Sequence, residues 1–268
     1  MNIDDLTAMA ENSEAEALFA MMTSMTDKGR RRMDVSTTRI GGGVVVRAGN
    51  DSTGFWSRVL GLGVNEPITD QIIDEVLAYH RERGDTGPRL QIAPTVLPSD
   101  WARTCARHGL NQGPSWYKLV CPVDAFVPGT SSLRIGPVGP DQAEEAGAVL
   151  ARGFGWEQQD VVDVYAPAVS SGALQGLAAW DGDTMVAAAG LGLHAAAAEM
   201  YGAATLPEHR GRGAQSALLT ARAQAAAEAG CTWLVAETWV PPEGTTNPSL
   251  DNMRRAGFRV LYERASWR

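Results

Sequence analysis

The order of hydrophobic patterns predicts an α+β chain built from two tandem units. Three observations carry this. Short strand patterns interleave with amphipathic helical ones along the whole chain. One succession (long helix, short strand, short helix, Gly-hydrophobic step, final strand) occurs twice. Its helices start near 69 and 213, its strands at 89 and 232, and its steps are His108-Gly109-Leu110 and Ala256-Gly257-Phe258. Between the copies, Cys121 to Ser132 gathers Pro122, Pro128, Gly129, Thr130, Ser131 and Ser132, a linker composition. The expected division is 1–121, a linker 122–132, and 133–268. An interval this long means tandem domains rather than a solenoid.

In order, residues 3–27 read as a helix with Leu6, Met9, Leu18, Met21, Met22 and Met25 on its apolar face, stopped by Gly29. Strands are expected at 41–48 and 55–62. The helix 69–83 is capped by Thr69 or Asp70 and closed by Gly84. A strand at 89–93, a helix from Pro98 to Arg107 and a strand through Leu119–Cys121 complete the first unit. The second has a strand at 133–135, helices at 142–154 and 161–170, and strands at 176–180, 184–193 and 197–206. Asp181-Gly182-Asp183 marks a hairpin turn. A helix at 213–229, a strand at 232–238, a short helix at 249–256 and a closing strand at 258–265 follow.

Hydrophobic residues make up 44% of the 268 and charged residues 20%, with a net charge of -8. That balance argues against a general affinity for nucleic acid or an anionic membrane. The run Arg30-Arg31-Arg32 reads as a solvated helix end. Cys105, Cys121 and Cys231 are too few and too scattered for a disulfide framework, and neither they nor the four histidines have metal-ligand spacing. Acidic residues 4, 5, 11, 14 and 16 break any leader-like start, and no apolar run is long enough to span a bilayer. A soluble, cytoplasmic chain with no metal is expected.

The sharpest feature is Leu206-Pro207-Glu208-His209-Arg210-Gly211-Arg212-Gly213-Ala214-Gln215-Ser216, placed between a strand and a helix. A helix N-terminus leaves backbone N–H groups unpaired and carries partial positive charge. Gly211 and Gly213 let that backbone approach a bulky anion, and Arg210 and Arg212 add guanidinium charge. The plain alternative is a glycine turn with solvated arginines. Neither a dinucleotide fingerprint nor a P-loop fits these residues.

With Pro207, Arg210, Gly211 and Gly213 in these places, the segment resembles the coenzyme loop of the GNAT superfamily of acyl-CoA-dependent N-acyltransferases. The succession onward to Gly257-Phe258 resembles the same family over about 133–268, with 1–121 as a degenerate copy lacking the loop. The resemblance implies tandem domains, each a mixed, largely antiparallel sheet flanked by helices, packed as an intramolecular pseudo-dimer within a possible monomer. It also implies acetyl-CoA as co-substrate, held by Thr205, Leu206, Arg210, Gly211, Arg212, Gly213, Ala214, Gln215 and Ser216, with Asn247 and Asn252 nearby. Asn247 reads equally as a helix cap. Gln215 departs from the family's Gly/Ala, and Met253 stands where the family often has a tyrosine acid.

Acyl transfer to an amine needs a base for the ammonium proton and a fate for the leaving thiolate. Glu237, at the end of its strand, is the first choice of base and Glu199 the second. Glu237 reads equally as a buried partner for an arginine. Ser249, Tyr262 or water is expected to protonate the thiolate. Trp156, Trp180 and Trp239 are candidate walls of the acceptor cleft, with Glu157 and Asp160 favouring a cationic amine. The expected activity is N-acetylation of a small-molecule amine by direct attack in a ternary complex. The alternative is a non-catalytic acyl-CoA-binding or sensing protein.

Overall fold

The computed structural model describes residues 2–84 and 87–268. Helix α1 spans Ile3–Ser24 and α2 Asp27–Met33, followed by strands β1 (Val35–Ile40), β2 (Gly43–Ala48) and β3 (Arg58–Leu60). Then come α3 (Asp70–Arg81), β4 (Arg89–Gln91), α4 (Trp101–His108) and β5 (Gln112–Pro122). The second half holds β6 (Arg134–Pro137), α5 (Ala143–Phe154), α6 (Gln158–Ser170), β7 (Gln175–Asp181), β8 (Thr184–His194), β9 (Ala197–Glu199) and β10 (Ala203–Thr205). It ends with α7 (Ala214–Glu228), β11 (Trp233–Trp239), α8 (Pro248–Arg255) and β12 (Arg259–Trp267).

Among the described residues, twelve strands join one mixed sheet, in the order β1-β2-β3-β4-β12-β5-β11-β9-β8-β7-β6, with β10 on β8. The centre is an exchange of strands. The last strand of the first half, β5, lies between β11 and β12 of the second. The last strand of the second half, β12, lies between β5 and β4. Register pairs Lys118 with Glu237 on one side and with Tyr262 on the other.

Period-2 alternation then sorts the two faces. Leu119 and Cys121 of β5, with Leu234 and Ala236 of β11, enter an apolar core shared with Leu218 and Leu219 of α7 and Phe258. Val120 and Val235 face the other way and meet Ala10 of α1. Lys118 and Glu237 share that second face by the same alternation. Glu11 and Glu14, fully buried on α1, lie over it. The core of this face otherwise packs α1 against α5, α6 and the first hairpin through Leu18, Met21, Met22 and Val46.

Three local departures from expectation have clear causes. Gly29 does not end a helix, because Thr26 caps a new one by accepting the Gly29 N–H at 3.1 Å. The arginine run forms the last turn of α2, where Arg32 pairs with Asp160 at 2.7 Å and Asp163 at 2.8 Å instead of facing solvent alone. The stretch 197–206 breaks into β9 and β10, because Gly202 turns at φ 44° and the Gly190 N–H reaches both Tyr201 O and Gly202 O. That break matters for the site.

Candidate active site

β9 runs parallel to β11 over three residues, whereas β10 pairs with β8 and, among the described residues, with no other strand. The sheet therefore opens between β10 and β11. A groove of about 520 Å³ lies at this opening and runs to the start of α7. Gly211, Gly213, Ala214, Gln215 and Ser216 line it. α7 has no side-chain cap, so its first-turn N–H groups are free to meet an anion. Gly211 and Gly213 both sit at φ 78°. At Gly213 an added Cβ would lie 2.5 Å from the Thr130 carbonyl, so the glycine is required twice over.

The two loop arginines differ. Arg210 lines the groove and donates to Gly153 O at 3.0 Å and Thr205 O at 3.3 Å. Arg212 turns away and forks onto Asp181 at 2.5 and 3.0 Å. Arg255, which the sequence did not single out, brings a second guanidinium to the groove beside Asn252. Its place in the last turn of α8 offered no signal, since basic residues there suit the helix dipole anyway. Thr205 lines the groove. Leu206 is buried, its N–H donating to Val186 O at 2.9 Å. Asn247 caps α8, accepting from the Ser249 and Leu250 N–H groups at 3.0 and 3.2 Å.

At Phe154, Ala203, Gln215 and Ser249 the groove meets a second cavity of about 320 Å³. Its walls are aromatic and come from both halves of the chain. Phe55 stands 5.0 Å from Trp156, 5.1 Å from Trp56 and 6.3 Å from Trp116, and Phe154 stacks on Trp156 at 4.8 Å. Trp239 also lines it, as does Met253. Trp180 is buried elsewhere, beneath Arg134. Asp160 does not supply acidity here: it is buried and held by Arg32 and by Ser52 at 2.6 Å. Glu157 is exposed and is not part of the wall.

The acidity comes from beneath, from Glu14, Glu199 and Glu237. Glu237 accepts from Arg58 at 2.8 Å and from Arg264 at 2.7 Å, one guanidinium on each oxygen. Glu14 binds Lys118, Arg58 at 2.5 Å and Arg264 at 2.7 Å. Burial works to raise the Glu14 carboxyl, but Arg264, Lys118 and Arg58 outweigh it and hold it well below the carboxylate range. Arg264 also grips Glu11 at 2.8 Å, and Tyr262 donates to Glu11 at 2.7 Å. Tyr262 is thus tied into this network and does not line the cavity.

Glu199 stands apart. It is fully buried, forms no ion pair among the described residues, and its Oε2 has no protein partner. Burial pushes its carboxyl up to about 8; Glu14 and Glu237 add to the rise while Lys118 and Arg264 oppose it. Of the four catalytic candidates, Glu199, Glu237 and Ser249 meet in one cavity and Tyr262 lies behind it.

Residues 145–244 match the sequence profile of the acetyltransferase (GNAT) family. No curated protein matches the chain. Among solved structures, a GCN5-related N-acetyltransferase from Kribbella flavida superposes with a TM-score of 0.67 at 15% identity, covering 97% of this chain and 94% of that one. A tandem GNAT protein from the clavulanic acid biosynthesis pathway gives 0.58 at 14%, covering 96% and 95%. A GCN5-related N-acetyltransferase from Sphaerobacter thermophilus gives 0.57 at 14%, covering 87% and 75%. The α+β fold is that of these proteins, over 87–97% of this chain.

Proposed function

We propose, on the premise that residues 145–244 form a domain of the GNAT acetyltransferase family, that the chain transfers an acetyl group from acetyl-CoA to the amine of a small molecule within a ternary complex. The observation that carries this reading is the junction of a helix-start groove with a cavity lined by a buried glutamate, Glu199, one of whose oxygens has no partner among the described residues.

The groove residues suit the coenzyme. Backbone N–H groups of Gly213 to Ser216 meet the pyrophosphate, with Arg210 and Arg255 adding charge. Arg212 acts at a distance by fixing the hairpin turn through Asp181. When bound, the coenzyme supplies an activated thioester. Phe154, Ala203, Gln215 and Ser249 mark where that end of the groove meets the acceptor cavity.

Glu199 suits the base better than Glu237. A base needs a free lone pair directed at the ammonium, and both oxygens of Glu237 are committed to guanidinium groups. Glu199 keeps Oε2 open and titrates near the working range of an enzyme. The amine nitrogen forms its bond to the acetyl carbon as the carbon–sulfur bond breaks, and Glu199 takes the proton the nitrogen sheds. Ser249, which lines both groove and cavity, would hydrogen-bond the leaving thiolate, and the thiolate would take its proton from water.

Thiol release from acetyl-CoA, measured over a panel of amines, tests the reading. An amine-dependent signal that falls by about 10²-fold or more in Glu199→Gln supports it. A rise in melting temperature with acetyl-CoA, but no thiol release with any amine, would leave the non-catalytic binding protein instead.

A further inference from the structure

The residues that line the acceptor cavity carry more unpartnered buried polar atoms than an amine alone would satisfy. Besides Glu199 Oε2, the indole N–H groups of Trp56 and Trp116, the Tyr201 hydroxyl and the Arg222 Nη2 are buried without a partner among the described residues. All five residues line this one cavity. Native interiors leave few such atoms, and each one calls for a cause.

Arg222 is the most telling. It is fully buried on α7. Its Nε donates to Leu218 O at 3.2 Å and its Nη1 to Gly190 O at 3.4 Å, both backbone carbonyls. Among the described residues it forms no ion pair. Its neighbour Tyr165 is already used, donating to Ala189 O at 2.8 Å. A buried guanidinium without a carboxylate is costly unless an anion arrives to meet it. The three other donors share the same need for acceptor oxygens.

The walls specify the rest of the ligand. Phe55, Trp56, Trp116, Phe154 and Trp156 offer ring faces and edges at 4.8 to 6.4 Å from one another, a surface suited to a flat apolar body. An alkyl chain would fit such walls but would leave every polar atom unpaired.

We infer that the acceptor is an aromatic amino acid or a close zwitterionic analogue, its ring among Phe55, Trp116 and Trp156, its carboxylate toward Arg222 and its amine toward Glu199. This rests on the transferase reading for the fate of the amine, but the binding geometry stands on its own. The first half of the chain then has a defined role: through Phe55, Trp56 and Trp116 it builds one wall of a pocket whose chemistry lies in the second half.

Calorimetric titration of the full chain with three related probes tests this. They are phenylalanine, 2-phenylethylamine lacking the carboxylate, and 3-phenylpropanoate lacking the amine. Phenylalanine is expected to bind at least about tenfold more tightly than either, because one loss leaves the buried Arg222 guanidinium unmet and the other the buried Glu199 carboxyl. Arg222→Met is expected to abolish the preference over 2-phenylethylamine. Trp116→Phe, which keeps a ring but loses the N–H, is expected to weaken phenylalanine several-fold in a chain that still folds. Equal binding of 2-phenylethylamine and phenylalanine would overturn the inference, as would displacement of phenylalanine by lengthening the acyl chain of an acyl-CoA. Phenylalanine binding without thiol release from acetyl-CoA would sink acetyl transfer and leave the ligand class standing. Thiol release confined to amines without a carboxylate would do the reverse.

Discussion

Arg58 and Glu237 are separated by 179 residues in sequence and 2.8 Å in space. One stands on β3 in the first half, the other on β11 in the second. Arg58 also holds Glu14 at 2.5 Å and Gln91 at 2.8 Å, so a single guanidinium ties α1, β3, β4 and β11 together. It is 1% exposed, and burial would lower its pKa, yet Glu237 and Glu14 raise it.

Removing that guanidinium is expected to cost stability more than chemistry. Arg58→Met leaves Glu14 and Glu237 each short of a partner in a buried site, a loss of about 3–5 kcal/mol. Urea unfolding of the purified variant measures it. A change under about 1 kcal/mol would mean that the network is wet and well screened. Glu237→Gln is expected to destabilise for the same reason, with a smaller loss of turnover than Glu199→Gln.

Glu199 gives the chain a pH signature of defined sign. Its folded carboxyl titrates at about 8, above the ordinary value of 4.5. Between those values the folded state holds a proton that the unfolded state has lost. Stability from this group is therefore complete below about pH 4.5 and falls as pH rises through 8. Activity runs the other way, because the base must be ionised: kcat/KM is expected to climb up to about pH 8 and then level. Glu199→Gln is expected to flatten both curves. A variant that kept the rising limb of the rate profile would assign the titration to another group.

The groove was legible because its signal is local. Arg210, Gly211, Arg212 and Gly213 are consecutive, and backbone geometry at a helix start follows from them. The hairpin at Asp181-Gly182-Asp183 was legible for the same reason, and Gly182 does turn at φ 61°. The exchange of β5 and β12 was not, since nothing in either strand states which neighbour it will choose. With the exchange hidden, so were its products: Lys118 between Glu237 and Tyr262, and Trp116 in the wall of the aromatic cavity. The ambiguity of Glu237, base or buried partner for an arginine, needed Arg58 and Arg264 in place before it could be weighed.

The two loop arginines are expected to separate under substitution. Arg210→Ala removes a cation from the groove and is expected to weaken acetyl-CoA binding about tenfold, the scale of one charge-assisted hydrogen bond. Arg212→Ala removes a partner of Asp181 outside the groove and is expected to change affinity by less than about threefold. Calorimetry with acetyl-CoA compares them, and equal losses would mean that Arg212 leaves Asp181 when the ligand binds. Gly213→Ala is expected to lower affinity and stability together, since its Cβ meets the Thr130 carbonyl.

A fragment of residues 130–268 keeps the groove, Glu199 and Glu237, yet it is not expected to form a working domain. It lacks β5, so β11 loses its antiparallel neighbour and becomes an open edge beside an apolar core. β12 loses both of its partners, β5 and β4. Arg264 and Glu237 would be left without Glu11, Glu14 and Arg58. The fragment is therefore expected to aggregate or to associate through its exposed strands, as size-exclusion chromatography would show. Supplying residues 1–129 in trans is expected to restore a one-to-one complex that binds acetyl-CoA. A monomeric 130–268 with cooperative unfolding would show that the second half closes its own sheet, and that the exchanged strands are an addition rather than a requirement.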